Sequence, residues 1–254
     1  MSTPRPVALI TGATSGIGAA LAQHLATTHR LVLCGRRADR LAALAESLTA
    51  AGATVLARPT DLCQESEILA LFQAIAGEWG GVDVLINNAG LGHRASLRSG
   101  ATAEWQEMLA VNVMALCLCT REAIAQMEAK ADREPDAPPG QIIHISSLSA
   151  YRVPGPVSTF YAATKAAVRS LTEGLRQELR AQGSQIRVTA VSPGYVETEF
   201  AERFYGDVGK AAEVYGRYPC LQPEDIAAAV VYILAQPPHV QVQDILLRPT
   251  LQPT

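Results

Sequence analysis

Seven short apolar runs, rich in β-branched residues, recur along the chain at residues 7–10, 31–34, 54–57, 84–86, 142–145, 186–191 and 242–247. Runs of this length that are mostly apolar rather than alternating suit strands buried on both faces. Longer segments with apolar positions three and four apart separate them. Residues 39–51 place Leu41, Leu44, Ala45 and Leu48 on one face, and residues 65–79 do the same with Ile68, Leu69, Phe72, Ile75 and Ala76. Strands alternating with crossover helices predict an α/β fold with a doubly wound, seven-stranded parallel sheet. The segment 132–140, with three prolines and four charges, cannot continue a helix and reads as a surface connection. The longest apolar run, residues 226–235, falls short of the ~20 residues needed to cross a bilayer and reads as a buried helix.

At 254 residues the chain fits one domain spanning 1–254, with no repeat or linker to divide it. Its 48% hydrophobic and 18% charged residues allow a large core. A net charge of -3 with no run of Lys or Arg argues against nucleic acid as a partner. The apolar stretch 7–10 is too short for a signal-peptide core, so a cytoplasmic protein is expected, with no membrane partner. Five cysteines without a CxxC pair read as reduced core residues, and the five histidines lack metal-ligand spacing, so no metal is expected.

Directly after the first strand comes Thr11-Gly12-Ala13-Thr14-Ser15-Gly16-Ile17-Gly18, followed by a helical pattern. Glycines at a strand-to-helix turn let a pyrophosphate approach the backbone and aim helix N-terminal amides at the anion. This context points to a Rossmann-type dinucleotide site. The second strand ends in Gly35-Arg36-Arg37, where an NAD enzyme usually places an acid for the ribose 2′-hydroxyl. Two guanidiniums there instead suit a 2′-phosphate, so NADP (NADPH) is the expected cofactor. Asp61, after the third strand, either accepts from the adenine amino group or caps the following helix in competition with Ser66. Its neighbour Leu62 is placed with it in the cofactor site.

The fourth strand runs into Asn87-Asn88-Ala89-Gly90, small residues that permit close approach to a ligand, and the fifth ends at Ser146-Ser147. Tyr161 and Lys165, four apart, share one face of a helix. A phenol of ordinary pKa about 10 is a poor base near neutrality, and a neighbouring ammonium stabilises its phenolate. Such a pair can deliver a proton to, or withdraw it from, an oxygen undergoing reduction or oxidation.

In this order and spacing the motifs closely resemble the short-chain dehydrogenase/reductase family: TGxxxGxG at Thr11–Gly18, NNAG at Asn87–Gly90, Asn112, Ser147, YxxxK at Tyr161–Lys165, and Pro193-Gly194 followed by Thr198. The resemblance implies that Asn112 holds a water linking Lys165 to solvent. It also implies that Ser147 donates to the substrate oxygen and that Thr198, with backbone near Val196, holds the nicotinamide carboxamide. Residues 171–179 and 243–250 are similar to an NADP-dependent subgroup whose carbonyl reductases and alcohol and 3-hydroxy acid dehydrogenases differ widely in substrate. Two departures stand out: Ser15 replaces the base that NADP enzymes of the family often carry there, and the Ser147-to-Tyr161 spacing is one residue longer than is commonest.

Six of the thirteen aromatic residues fall between Tyr195 and Tyr218, where even scattering would put about one. This marks a contact wall for a mainly apolar ketone, aldehyde or alcohol, and the resemblance makes residues 194–222 a substrate lid. Charges in the segment are mixed, so no cationic site for a carboxylate stands out there, which tilts the reading away from 3-hydroxy acids. The resemblance also implies a homo-oligomer, expected to be a tetramer built through the helices holding Asn112 and Tyr161, with residues 245–247 otherwise an exposed sheet edge.

Overall fold

The computed structural model describes residues 5–253; residues 1–4 and 254 of the expected domain lie outside it. All seven expected strands form: β1 (Val7–Thr11), β2 (Arg30–Gly35), β3 (Val55–Pro59), β4 (Val84–Asn87), β5 (Gln141–Ile145), β6 (Arg187–Pro193) and β7 (Asp244–Leu247). They pair in parallel in the order β3-β2-β1-β4-β5-β6-β7. The chain winds outward from β1 to β3, then returns across β1 and winds the other way. Adjacent loops diverge between β1 and β4, and a crevice opens there at the carboxyl ends of the strands.

Side chains alternate across the sheet, so every strand except β7, whose Leu246 is exposed, feeds two cores. Ala8, Ile10, Leu31, Leu33, Ile143 and Val191 pack beneath α1 (Gly16–Leu25), α2 (Ala38–Ala50) and α9 (Pro223–Leu234). On the opposite face Val7, Leu9, Val32, Leu85, Ile142 and Val188 meet α3 (Glu65–Trp79), α5 (Ala115–Arg133) and α6 (Thr159–Ala181). Covering both faces explains why the strands read as continuous apolar runs. Each fully buried Leu or Ile contributes about 1.5–3 kcal/mol.

Several local readings change. Leu71 is buried on α3 where Ala76 was expected, because Ala76 turns to solvent. Neither Asp61 nor Ser66 caps α3: Gln64 occupies the cap position, and the Asp61 carboxylate accepts from the Cys63 amide. Only Cys34 and Cys119 are buried, while Cys63 is exposed and Cys117 and Cys220 are half-buried; all five are free thiols. Helix α9 buries Ile226, Ala227, Val230 and Ile233 but leaves Val231 and Tyr232 at the surface, so the run 226–235 is a one-sided helix.

α4 (Thr102–Leu109) runs through a π-helical turn at Ala110–Met114 into α5. The combined run, Thr102–Arg133, is long and apolar enough by length and composition to cross a membrane. It packs as a core helix: Met108, Asn112, Ala115, Cys119, Ala123 and Met127 face inward, and Gln106, Arg121 and Glu128 face outward. Between β6 and α9 lie two short helices, α7 (Glu199–Tyr205) and α8 (Val208–Tyr215), capped by the side chains of Thr198 and Asp207.

Candidate active site

Because the sheet is parallel, the loops after β1, β2, β4, β5 and β6 all emerge at one edge, and two adjoining cavities form there. The first is a groove lined by Gly12, Thr14–Ile17, Gly35–Arg37, Thr60–Leu62 and Asn88–Gly92. Asn88 clamps its floor, donating to the Thr11 and Gly12 carbonyls at 2.9 and 3.2 Å, while Thr11 Oγ1 accepts from the Asn88 and Ala89 amides at 3.0 Å each. The turn is so tight that a Cβ on Gly18 would collide with the Gly12 carbonyl oxygen. A backbone stripped of side chains in this way suits a pyrophosphate at the α1 N-terminus.

Arg37 reaches across this turn. Its Nη2 donates to Thr14 Oγ1 at 2.9 Å and to Ser15 Oγ at 2.6 Å, and its Nη1 donates to Glu199 Oε2 at 2.7 Å. The guanidinium therefore stands over Ser15, the position where a base is missing from the sequence. Arg36 is more exposed and sits 3.7 Å from Glu107. Glu199, which also pairs with Arg40 and lies 3.5 Å from Arg203, was not anticipated. Burial works against its ionisation, but the Arg40 and Arg37 hydrogen bonds prevail and hold its pKa at about 2. Asp61 and Leu62 line the far side of the groove.

The second cavity, of about 190 Å³, is lined by Asn88, Gly90, Ser147, Tyr161, Lys165, Pro193, Gly194, Val196 and Thr198, together with Tyr195, Phe200, Phe204, Tyr205 and Tyr215. Ser147, Tyr161 and Lys165, assigned to catalysis, thus converge with the residues assigned to the nicotinamide, while Asn112 stands behind the cavity wall. Burial pushes the Tyr161 phenol up to about 12, partly offset by a hydrogen bond with Ser147. Lys165, one turn along α6, is buried; its Nζ donates to the Ile145 carbonyl at 2.9 Å and lies 6.0 Å from the Tyr161 ring centre. Burial pulls its ammonium down to about 8.

Of the three neighbouring serines, Ser147 is the one whose hydroxyl favours the phenolate of Tyr161. Ser146 is buried, with its hydroxyl donating to the Lys165 carbonyl, and Ser149 donates its amide to Ser147 Oγ. Asn112 lies at the π-helical turn, a type of irregularity common at functional sites. Its Oδ1 accepts from the Leu91 amide at 2.9 Å, and its Nδ2 donates to the Leu91 carbonyl and to Thr164 Oγ1. The side chain therefore braces the segment after Gly90 against α6. Its two donors are taken, and the spare lone pair of Oδ1 is what it can offer a water.

The aromatic cluster folds onto the phenol. Phe200 and Phe204 lie 5.3 and 6.3 Å from the Tyr161 ring centre and stack on each other, and Gly92 makes room for them: a Cβ there would stand 2.9 Å from both. Tyr218 alone of the six clustered aromatics does not line the cavity. Arg152, on the connection from β5 to α6, lines it and was not singled out in the sequence. The cavity thus contains a cation that the mixed charges of residues 195–218 gave no reason to expect.

Comparison with known proteins agrees with this geometry. The short chain dehydrogenase family pattern matches residues 6–208. Dehydrogenase/reductase SDR family member 11 of Bos taurus is 48% identical over 253 residues, covering 98% of this chain and 97% of that protein. Farnesol dehydrogenase of Aedes aegypti is 37% identical over 247 residues, covering 96% and 95%. Among solved structures, the closed form of a serine dehydrogenase complexed with NADP+ superposes with a TM-score of 0.88 at 32% identity, covering 98% of this chain and 96% of that one. With fold, motif order and near full-length similarity in agreement, the chain belongs to the short-chain dehydrogenase/reductase family of oxidoreductases.

Proposed function

We propose that the protein is an NADP(H)-dependent oxidoreductase that interconverts a mainly apolar ketone or aldehyde and its alcohol, with Tyr161 as the acid and base. The observation that carries this reading is the convergence of the Tyr161 phenol, Ser147 and the buried Lys165 ammonium, one helical turn from Tyr161, in a largely apolar cavity that shares Asn88, Gly90 and Thr198 with the nucleotide groove.

NADP(H) fits the groove through its side-chain-free floor and through Arg37, which presents cationic nitrogens over the glycine turn, with Arg36 beside it. The solved serine dehydrogenase holds the same dinucleotide. When bound, the nicotinamide supplies or accepts the hydride. Pro193, Gly194, Val196 and Thr198 would hold it beside Tyr161. Ser147 orients the substrate oxygen by donating to it, and Tyr161 gives its proton to that oxygen as negative charge develops. Lys165 stabilises the phenolate left behind, and Asn112 keeps the Leu91 segment and α6 in register. In oxidation the proton runs the other way, from alcohol to Tyr161.

Residues 194–222 act as the lid of this site, and the aromatic wall of Phe200, Phe204, Tyr205, Tyr195 and Tyr215 selects an apolar substrate body. The farnesol dehydrogenase relative acts on such a molecule. Tyr161→Phe tests the assignment. It should leave the dissociation constant for NADPH nearly unchanged and remove at least about 99% of kcat, a loss in the range expected when a positioned acid is deleted. Substantial turnover in this variant would overturn the assignment, and a wild-type protein that binds NADPH yet consumes none with any carbonyl compound would be a regulator instead.

A further inference from the structure

The substrate cavity holds one charge that the chemistry above does not use. Its charged lining residues are Lys165 and Arg152, and no aspartate or glutamate lines it. Lys165 is committed to the Ile145 carbonyl and sits 6.0 Å from the Tyr161 ring centre. Arg152 is half-buried, its Nε is fully buried without a hydrogen-bond partner, and no described carboxylate pairs with it. Nearby arginines differ: Arg203 is near Glu199 and Arg217 near Glu213. Arg187 also has an unpartnered Nε, but its Nη1 caps the carbonyls of Gln236, Pro237 and Val240. Arg152 is close enough to Tyr195 and Tyr218 for its charge to favour their ionised forms.

A buried N–H without an acceptor, such as the Arg152 Nε, is costly, and such groups persist where a ligand supplies the missing partner. Arginine offers a planar fork matched to a carboxylate, and the surrounding rings exclude water that would weaken the pair. We propose that Arg152 forms an anion subsite of the substrate cavity and that the preferred substrate is an apolar oxo acid, or its hydroxy acid, with the carboxylate at the end of the molecule remote from the reacting carbonyl. This rests on the oxidoreductase reading and narrows it. The apolar body lies along Phe200, Phe204 and Tyr205, the carbonyl meets Tyr161 and Ser147, and the carboxylate meets Arg152 with the Tyr195 hydroxyl beside it.

The test compares aryl oxo acids of increasing chain length with their methyl esters, measured as NADPH consumption by the wild-type, Arg152→Gln and Arg152→Lys proteins. Wild type should favour the acid over its ester by about tenfold or more in kcat/KM at one chain length, mostly through KM, as expected of a site built to pair with that group. Arg152→Gln should abolish the preference and Arg152→Lys should restore part of it, with the NADPH dissociation constant confirming that both variants are folded. If wild type treats acid and ester alike at every length, or if Arg152→Gln lowers both equally, the subsite is wrong. Turnover of neutral ketones with no acid preference would sink the subsite and leave the reductase standing. No turnover of any carbonyl compound would sink both.

Discussion

At the scale of single residues, the proposed mechanism ties the direction of reaction to the protonation of Tyr161. Burial holds its pKa at about 12, so at neutral pH the phenol carries its proton and is ready to donate. In that mechanism reduction uses this form, and its rate should be flat from about pH 5 to 7, below the Lys165 value of about 8. Oxidation needs the phenolate, whose population below the pKa rises tenfold per pH unit. At fixed NADP+ and saturating alcohol, log kcat for oxidation should therefore climb with a slope near one across that range. An oxidation optimum on the acid side of neutrality would contradict the assignment. Lys165→Ala should lower both directions and also weaken nucleotide binding, because the ammonium lies against Gly90, which lines both cavities. Tyr161 and Lys165 were readable in the sequence because a four-residue spacing on a helix is local. Their raised and lowered pKa values were not, since these come from burial by distant parts of the chain.

Between elements, Glu199 links α7, the first helix after β6, to the loop that follows β2. Its carboxylate holds Arg37 at 2.7 Å and also pairs with Arg40, at the place where a 2′-phosphate would need the same guanidiniums. A phosphate must displace this carboxylate or lie beside it, and either is unfavourable. Glu199→Gln should tighten NADPH binding by about fivefold, since a partly exposed pair of this kind is worth about 1 kcal/mol, and should leave NADH within twofold. Arg37→Ala or Arg36→Ala should do the reverse, weakening NADPH far more than NADH. Fluorescence titration with the two cofactors separates these outcomes; weaker NADPH binding in Glu199→Gln would mean that the carboxylate positions the arginines. The sequence revealed all seven strands because each carries a short, mostly apolar run, and the glycine turn because its motif is contiguous. Glu199 and Arg37 stand 162 positions apart, a contact that no local pattern carries. Arg152 was hidden likewise, and the continuity of α4 with α5 was missed because a π-helical turn breaks the helical period at Ala110–Met114.

At the scale of the whole molecule, two sets among the exposed apolar side chains bear on assembly. One comprises Leu246 on β7, 49% exposed, with Val231 and Tyr232 on α9; β7 also ends the sheet and leaves one edge unpaired. The other comprises Leu109 and Met114 on the run that carries Asn112, 44% and 55% exposed, with Leu171 on α6, the helix of Tyr161. Exposed apolar groups of this kind suit contact with another copy, and an open sheet edge invites a partner. Two different patches, each meeting its own copy about a two-fold axis, generate a tetramer rather than a dimer. Light scattering at micromolar concentration should give about four times the 27.0 kDa chain mass. Met114→Glu should bury a charge in one contact and Leu246→Glu in the other, so each single variant should yield a dimer and the double variant a monomer. A wild-type monomer would refute both contacts. A tetramer that survives either substitution would refute that contact alone.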